Sequence, residues 1–287
     1  MKRARKSGKK YGGSKVGDVF IFILLLLISL FMLFPIYLSV VQSVKPSQEL
    51  FLFPPKLYPV APTGRNFVDL LNTASNMWVP FSRYVFNSIL VTAVVTVSQL
   101  LFSSSAAYAL AKGDFPGKKA LNKIVEIALL FTSSVMFIMQ YMVMAFMGII
   151  DTYLAVTLPY IAAPMGLFLM RQFMRQIPDE MIEAAKLDGA GHLRICWQIV
   201  IPNVKPAVLT LMIFAFQSAW QVTGYSFIYS EELKPLPAVM QQISVGGITR
   251  AGVAAAAAVI TMIPPVVVFL ICRSSVMETM AHSGLKD

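Results

Sequence analysis

The chain has 287 residues, 57 % of them hydrophobic and only 13 % charged, whereas soluble globular domains carry about 25 % charged residues; a water-soluble fold is excluded. The net charge of +10 would suit nucleic acid, but 18 of the 24 Lys and Arg fall in residues 1–15, 112–123, 171–205 and beyond 272. That clustering is the positive-inside pattern of a membrane protein with both termini in the cytoplasm, and a basic tail over 1–17 faces anionic headgroups rather than DNA.

A bilayer core about 30 Å thick takes roughly 20 apolar residues per helix. Six stretches free of Asp, Glu, Lys, Arg and His meet that need: 19–44, 84–111, 127–150, 152–170, 206–230 and 251–272. They predict six spanning helices within a single transmembrane domain over 18–287. The first is apolar all round, as lipid contact requires, with Pro35 expected to kink it. It is too long for the 7–15-residue core of a signal peptide, and no A-x-A-like site follows it.

Residues 45–82 read as an external segment with Pro54, Pro55, Pro59 and Pro62, no long periodic run, and aromatics suited to the membrane surface. The second span carries Asn87 and the small series Ser103 to Ala107, which suits close helix packing. A basic turn follows; its G-D-F-P-G-K-K misses the phosphate-loop spacing by one residue and lacks the hydroxyl. The third span holds Gln140 and Tyr141, Asp151 and Thr152 turn the chain outside, and the fourth contains Pro159 and Pro164. The fifth is polar for a span, with Gln217, Ser218, Trp220, Gln221, Thr223 and Tyr225; the sixth is rich in Ala and bears Pro264 and Pro265. Between them, 235–249 holds two Pro, Gln241, Gln242, Gly246 and Gly247 and reads as a loop, since lipid offsets none of the cost of burying so many amides.

The segment from Arg171 to Pro206 is different in kind: polar, charged, and set between apolar stretches. Pro178 suits a first helical position, Asp179 and Glu180 follow where the helix dipole favours anions, and Glu183 to Leu187 are good helix formers. Gly189 and Gly191 permit a sharp turn. From His192 a second helix runs to about Pro202. Periodicity alone leaves two roles open: an amphipathic helix on the headgroups, or a rigid unit that transmits displacement to the spans it joins. His192 and Cys196 stand four apart, but two ligands do not close a zinc site, and two cysteines imply neither disulfide nor metal.

The run E-A-A-K-L-D-G-A-G, with the Pro of I-V-I-P nineteen residues after its Glu, resembles the EAA signature of integral-membrane permeases of binding-protein-dependent ABC importers, most of all the carbohydrate-uptake, maltose-type branch. The likeness extends through L-F-P-I-Y, S-V-K-P, Y-V-F-N-S-I-L, A-A-Y-A-L-A-K-G-D-F-P-G-K-K, F-L-M-R-Q-F-M-R-Q-I-P-D-E and M-E-T-M-A-H-S-G-L-K-D. The resemblance implies an all-α polytopic fold of type I importer architecture, with 179–202 as the coupling segment. Glu183, Ala184, Ala185, Asp188, Gly189 and Pro202 would meet a separate ATPase. It further implies a second homologous permease as heterodimer partner, two ABC ATPase subunits that bind the ATP and Mg, an extracytoplasmic substrate-binding protein, and no cofactor in this chain. The family's usual aromatic thirteen residues after the Glu is Cys196 here, the Leu before the Pro is Ile201, and its Trp-Asn is Trp220-Gln221.

The expected activity is import of a sugar, an oligosaccharide, by alternating access driven by the separate ATPases; this chain is expected to carry no catalytic site of its own, since Walker A, H-E-x-x-H and G-x-S-x-G patterns are absent. Another small solute such as glycerol phosphate is the alternative. An autonomous channel or intramembrane enzyme would need ionisable groups at mid-membrane, which the spans lack. Sugars are held by hydrogen bonds and aromatic faces; Gln217, Trp220, Gln221 and Tyr225 are the path candidates, with Asn87, Gln140 and Tyr141 beside them, and helix packing is the competing role for each. The external stretch Glu231 to Arg250 is the candidate dock for the binding protein.

Overall fold

The computed structural model describes residues 15–131, 133–224, 226–245 and 250–284. The basic tail to residue 14, Tyr225, Gly246 and Gly247 lie outside them. The order of helices is α1 (Lys15–Ser43), α2 (Ser47–Leu50), α3 (Arg65–Ser75), α4 (Phe81–Lys112), α5 (Lys118–Ala128), α6 (Ser133–Met147), α7 (Tyr153–Ile161), α8 (Pro164–Met174), α9 (Asp179–Leu187), α10 (His192–Arg194), a π-helical stretch Ile195–Val200, α11 (Ile201–Asn203), α12 (Lys205–Trp220), a 3-10 turn Glu231–Leu233, α13 (Leu236–Ser244) and α14 (Ala251–Gly284). No strand occurs among the described residues.

The core is built around α12, which packs between α4 and α14; α8 lies on α4, and α1 runs along α14. The apolar side chains of α1 stay exposed, Phe31 by 78 % and Met32 by 71 %. A stripe of that size marks a surface covered by lipid or another protein.

Four helical segments among the described residues are long and apolar enough to cross a bilayer: 17–43, 81–112, 153–174 (α7 and α8 together) and 251–273; a fifth is obtained if the bent pair 192–203 and 205–220 counts as one. The expected third span is divided. Its inner end belongs to amphipathic α5, and α6 has only 15 residues, about 22 Å of helix. The fifth is also shorter than expected: α12 ends at Trp220, and Gly224 turns with φ +65°, where a Cβ would come within 2.9 Å of Val156.

Two helices replace expected loops. In the outer segment, α3 buries Asn66, Leu70 and Ala74, one residue per turn, and Asn66 Nδ2 donates to the carbonyls of Ser43 (2.9 Å) and Lys45 (2.7 Å). Gly252 of α14 comes so close that a Cβ there would lie 2.5 Å from Asn66 Oδ1. The stretch after Pro235 is α13, which buries Leu236, Val239, Met240 and Ile243, the i, i+3, i+4, i+7 stripe of an amphipathic helix. Pro235 is its N-cap and Pro237 lies in its first turn, where no N–H is missed; Gln241 stays exposed on the surface of the helix.

Candidate functional site

At the charged end of the bundle, α8 leads into α9. Pro178 sits one position earlier than expected, as the N-cap with ψ 139°. The Lys112 ammonium at the end of α4 holds this corner, donating to the Ile177 carbonyl and, at 2.7 Å, to Asp179 Oδ1. That hydrogen bond, with the charge of Lys112 behind it, draws the Asp179 carboxyl below its usual range.

Helix α9 turns Ile182 and Ala185 into the core and leaves Glu183, Ala184 and Leu187 outside. Its end is a complete Schellman motif: Gly189 N–H donates to the Lys186 carbonyl and Ala190 N–H to that of Ala185, both at 3.0 Å, with Gly189 at φ +78°. The chain then re-enters the core at Ile195, Cys196, Val200 and Val204, which pack with Tyr108, Met170, Met174, Ala207 and Leu211. The i+5 winding of 195–200 is a local widening of the kind found at functional positions. Cys196 takes the buried place and Trp197 remains 38 % exposed, so bulk is kept near that turn as the sequence suggests. His192 stands exposed beside the Tyr108 ring while Cys196 is buried, and among the described residues no trio of His, Cys, Asp or Glu is placed for a metal.

Pro202 closes the unit. With Pro178, Met181 and Pro206 it borders a cavity of about 570 Å³ between the start of α9 and the start of α12. The unit presents outward Glu183, Ala184, Asp188 and Gly189, all anticipated, and two apolar residues that were not, Leu187 (90 % exposed) and Leu193 (74 %). Ala185, by contrast, faces the core. Helical phase reveals Leu187: with Ile182 and Ala185 inside, it lies on the far side of the helix.

The path candidates are less of one place. Trp220 is a core residue, its indole N–H donating to the Thr261 carbonyl at 2.9 Å and its ring stacked on Phe216. Asn87 is fully buried; its Nδ2 donates to the carbonyls of Glu232 (2.8 Å) and Lys234 (2.9 Å), and its Oδ1 accepts from the Tyr153 hydroxyl. It therefore anchors the turn Glu231–Leu233 to α4. Tyr141 stacks on Phe227 and its hydroxyl lies 3.3 Å from that of Tyr229. Gln140 and Gln217 are half-buried and Gln221 is exposed. Of these, Gln221 alone lines the cleft of about 500 Å³ between the end of α12, α13 and α14, together with Thr223, Gln241, Ser244 and Thr261.

Asp151 ties the loop after α12 to the α6–α7 turn. Its Oδ1 accepts the N–H groups of Tyr229 and Ser230, each at 2.9 Å, and its Oδ2 the Ser230 hydroxyl. The Ser230 hydroxyl and these amides hold the carboxyl below its ordinary range. A depressed carboxyl stabilises the fold above its unfolded value near pH 4 and loses that contribution as pH falls through the lower folded value. The protection of the Tyr229 and Ser230 amides against hydrogen exchange, relative to the intrinsic rate at each pH, should fall below about pH 4 in the wild type, and should already be lost at neutral pH in Asp151→Ala.

Comparison with known proteins agrees with this layout. Residues 19–278 match the family model described as binding-protein-dependent transport system inner membrane component. The sn-glycerol-3-phosphate transport system permease protein UgpE of Yersinia enterocolitica is 29 % identical over 261 residues, covering 89 % of this chain and 93 % of that one. Its counterpart in Escherichia coli O6:K15:H31 is 28 % identical over 263 residues, covering 88 % and 91 %. A chain of a bacterial ABC transporter involved in import of the acidic polysaccharide alginate shares the fold with a TM-score of 0.78 at 22 % identity, over 92 % of this chain and 99 % of that one. A chain from the alginate transporter in complex with an alginate pentasaccharide-bound periplasmic protein gives 0.59 at 14 % identity, over 91 % and 96 %.

Proposed function

Since this chain belongs to the family of binding-protein-dependent transport system inner membrane components, we propose that it is the permease subunit through which an ABC importer passes a sugar across the cytoplasmic membrane. It works beside a second, homologous permease. Two ATPase subunits bind the ATP and Mg and seat against α9, and an extracytoplasmic binding protein delivers the substrate at Glu231 to Arg250. Both termini lie in the cytoplasm, as the placement of Lys and Arg favours.

The observation that carries this reading is the outward face of α9 and its cap: Glu183, Leu187 and Gly189 are exposed on a helix whose other face is fixed in the core. A headgroup-binding helix would turn its apolar face to lipid; α9 turns Ile182 and Ala185 inward and leaves an acidic and apolar edge for a protein partner. The alginate named for the structural neighbour supports a saccharide substrate, with the glycerol 3-phosphate named for the relatives as the alternative.

In proteoliposomes, uptake of a saccharide should require the second permease, the ATPases and hydrolysable ATP. Flux through the purified chain alone would overturn the assignment.

A further inference from the structure

A cleft opens between the end of α12, α13 and α14. Its volume of about 500 Å³ accommodates a sugar ring, and its polar lining is Gln221, Thr223, Gln241, Ser244 and Thr261. Ser244 and Thr261 donate to helix carbonyls, Met240 at 2.6 Å and Ala257 at 2.9 Å, which leaves their oxygens free to accept. The Gln221 and Gln241 side chains are exposed to the cleft and make no hydrogen bond among the described residues. The rest of the wall is apolar, including Met240, Met262 and Pro265. Few polar groups converging on an apolar wall is the make-up of a small-molecule site.

The charge of the cleft selects the ligand. No Lys, Arg or His lines it among the described residues. A phosphate or uronate would find no cation here to replace its water, whereas neutral hydroxyls match the carboxamides of Gln221 and Gln241 and the free hydroxyl oxygens of Ser244 and Thr261.

Resting on the permease reading above, we propose that this cleft is a binding site of the translocation path and that it takes the hydroxyl groups of a neutral saccharide rather than an anionic one. The test uses the complete transporter in proteoliposomes, with uptake of maltotriose, cellotriose, xylotriose and raffinose compared with sn-glycerol 3-phosphate and alginate trisaccharide. A neutral member should be carried, and the Gln221→Ala/Gln241→Ala double variant should raise its half-saturating concentration about tenfold through two lost hydrogen bonds. Ser29→Ala, on the exposed face of α1, should match wild type. Both native cysteines are buried, so Ser244→Cys supplies a maleimide-reactive reporter that the carried sugar should protect.

Uptake of the anionic substrates only would overturn the neutral class while leaving the permease intact. Uptake of a neutral sugar with an unaffected double variant and an unprotected cysteine would overturn the site. Uptake of no saccharide would remove the sugar reading and this site with it.

Discussion

Replacing Glu183 by Ala, or Gly189 by Asp, should leave the chain in the membrane and abolish substrate-stimulated ATP hydrolysis by the assembled transporter. Neither side chain carries the fold. Glu183 is exposed and its side chain makes no hydrogen bond or ion pair among the described residues, and surface changes of that kind usually shift stability by less than about 0.5 kcal/mol. At Gly189 a Cβ meets nothing within 4 Å, but φ is +78°, so a side chain costs about 1–2 kcal/mol of local strain. Gly189→Ala separates the effects: it carries the strain without the charge, and should retain most of the coupling that Gly189→Asp loses. Membrane yield and ATP hydrolysis with and without loaded binding protein are the measurements. Normal stimulation in both primary variants would show that α9 is not where the ATPase acts.

Loss of the Arg171 side chain should have the largest structural effect. Arg171, fully buried on α8, donates through Nη1 to Asn122 and through Nη2 to Glu126 at 3.1 Å, with its guanidinium 5.3 Å from the Phe168 ring centre. It turns the polar edge of α5 inward, so that Leu121, Ile124 and Ile127 of that helix face out. Arg171→Ala leaves a cavity and strands the α5 partners, a cost of about 3 kcal/mol. Glu126→Gln should cost less than about 1 kcal/mol, because its side chain is 57 % exposed and the charge it contributes is screened. Arg171→Lys should not rescue, since an ammonium lacks the planar fork that reaches two partners at once. Thermal unfolding in detergent ranks the three, and equal midpoints would refute the clamp. Because α8 runs directly into the corner before α9, Arg171→Ala should also weaken ATPase coupling.

The bundle was legible in the sequence where long apolar runs and charge placement agree, as at α1, α4 and α14. It was less so where local signals compete. Pro235, Pro237 and the paired Gln suggest a loop, yet Leu236, Val239, Met240 and Ile243 already carry the helical period; prolines at a helix start do not oppose it. Asn66, Leu70 and Ala74 of α3 were hidden among external prolines in the same way. The early end of α12 follows from tertiary packing, since Gly224 lies against Val156 and Ile228.

The helix, turn and helix proposed for coupling were located in the sequence by Glu183, Gly189 and Pro202, but the exposed leucines needed the helix phase. The path residues were the least legible. An indole or carboxamide in a polar span serves equally for packing or for recognition, and only the bond from Trp220 to Thr261 and those around Asn87 show which atoms are already engaged.

The segments 192–203 and 205–220 meet at 90°. Their junction is immobilised by Val204 and Ala207, both in the core. Such an elbow behaves as a bell crank. At 1.5 Å per residue its arms measure about 18 Å and 24 Å, so a sideways thrust at the tip of the shorter emerges at the tip of the longer rotated by a right angle and enlarged by about one third. Were the pair to turn about that junction as one rigid body, a 3 Å stroke near His192 would reach about 4 Å near Trp220, directed across the bundle rather than along it, and the indole bond to Thr261 would carry it to α14.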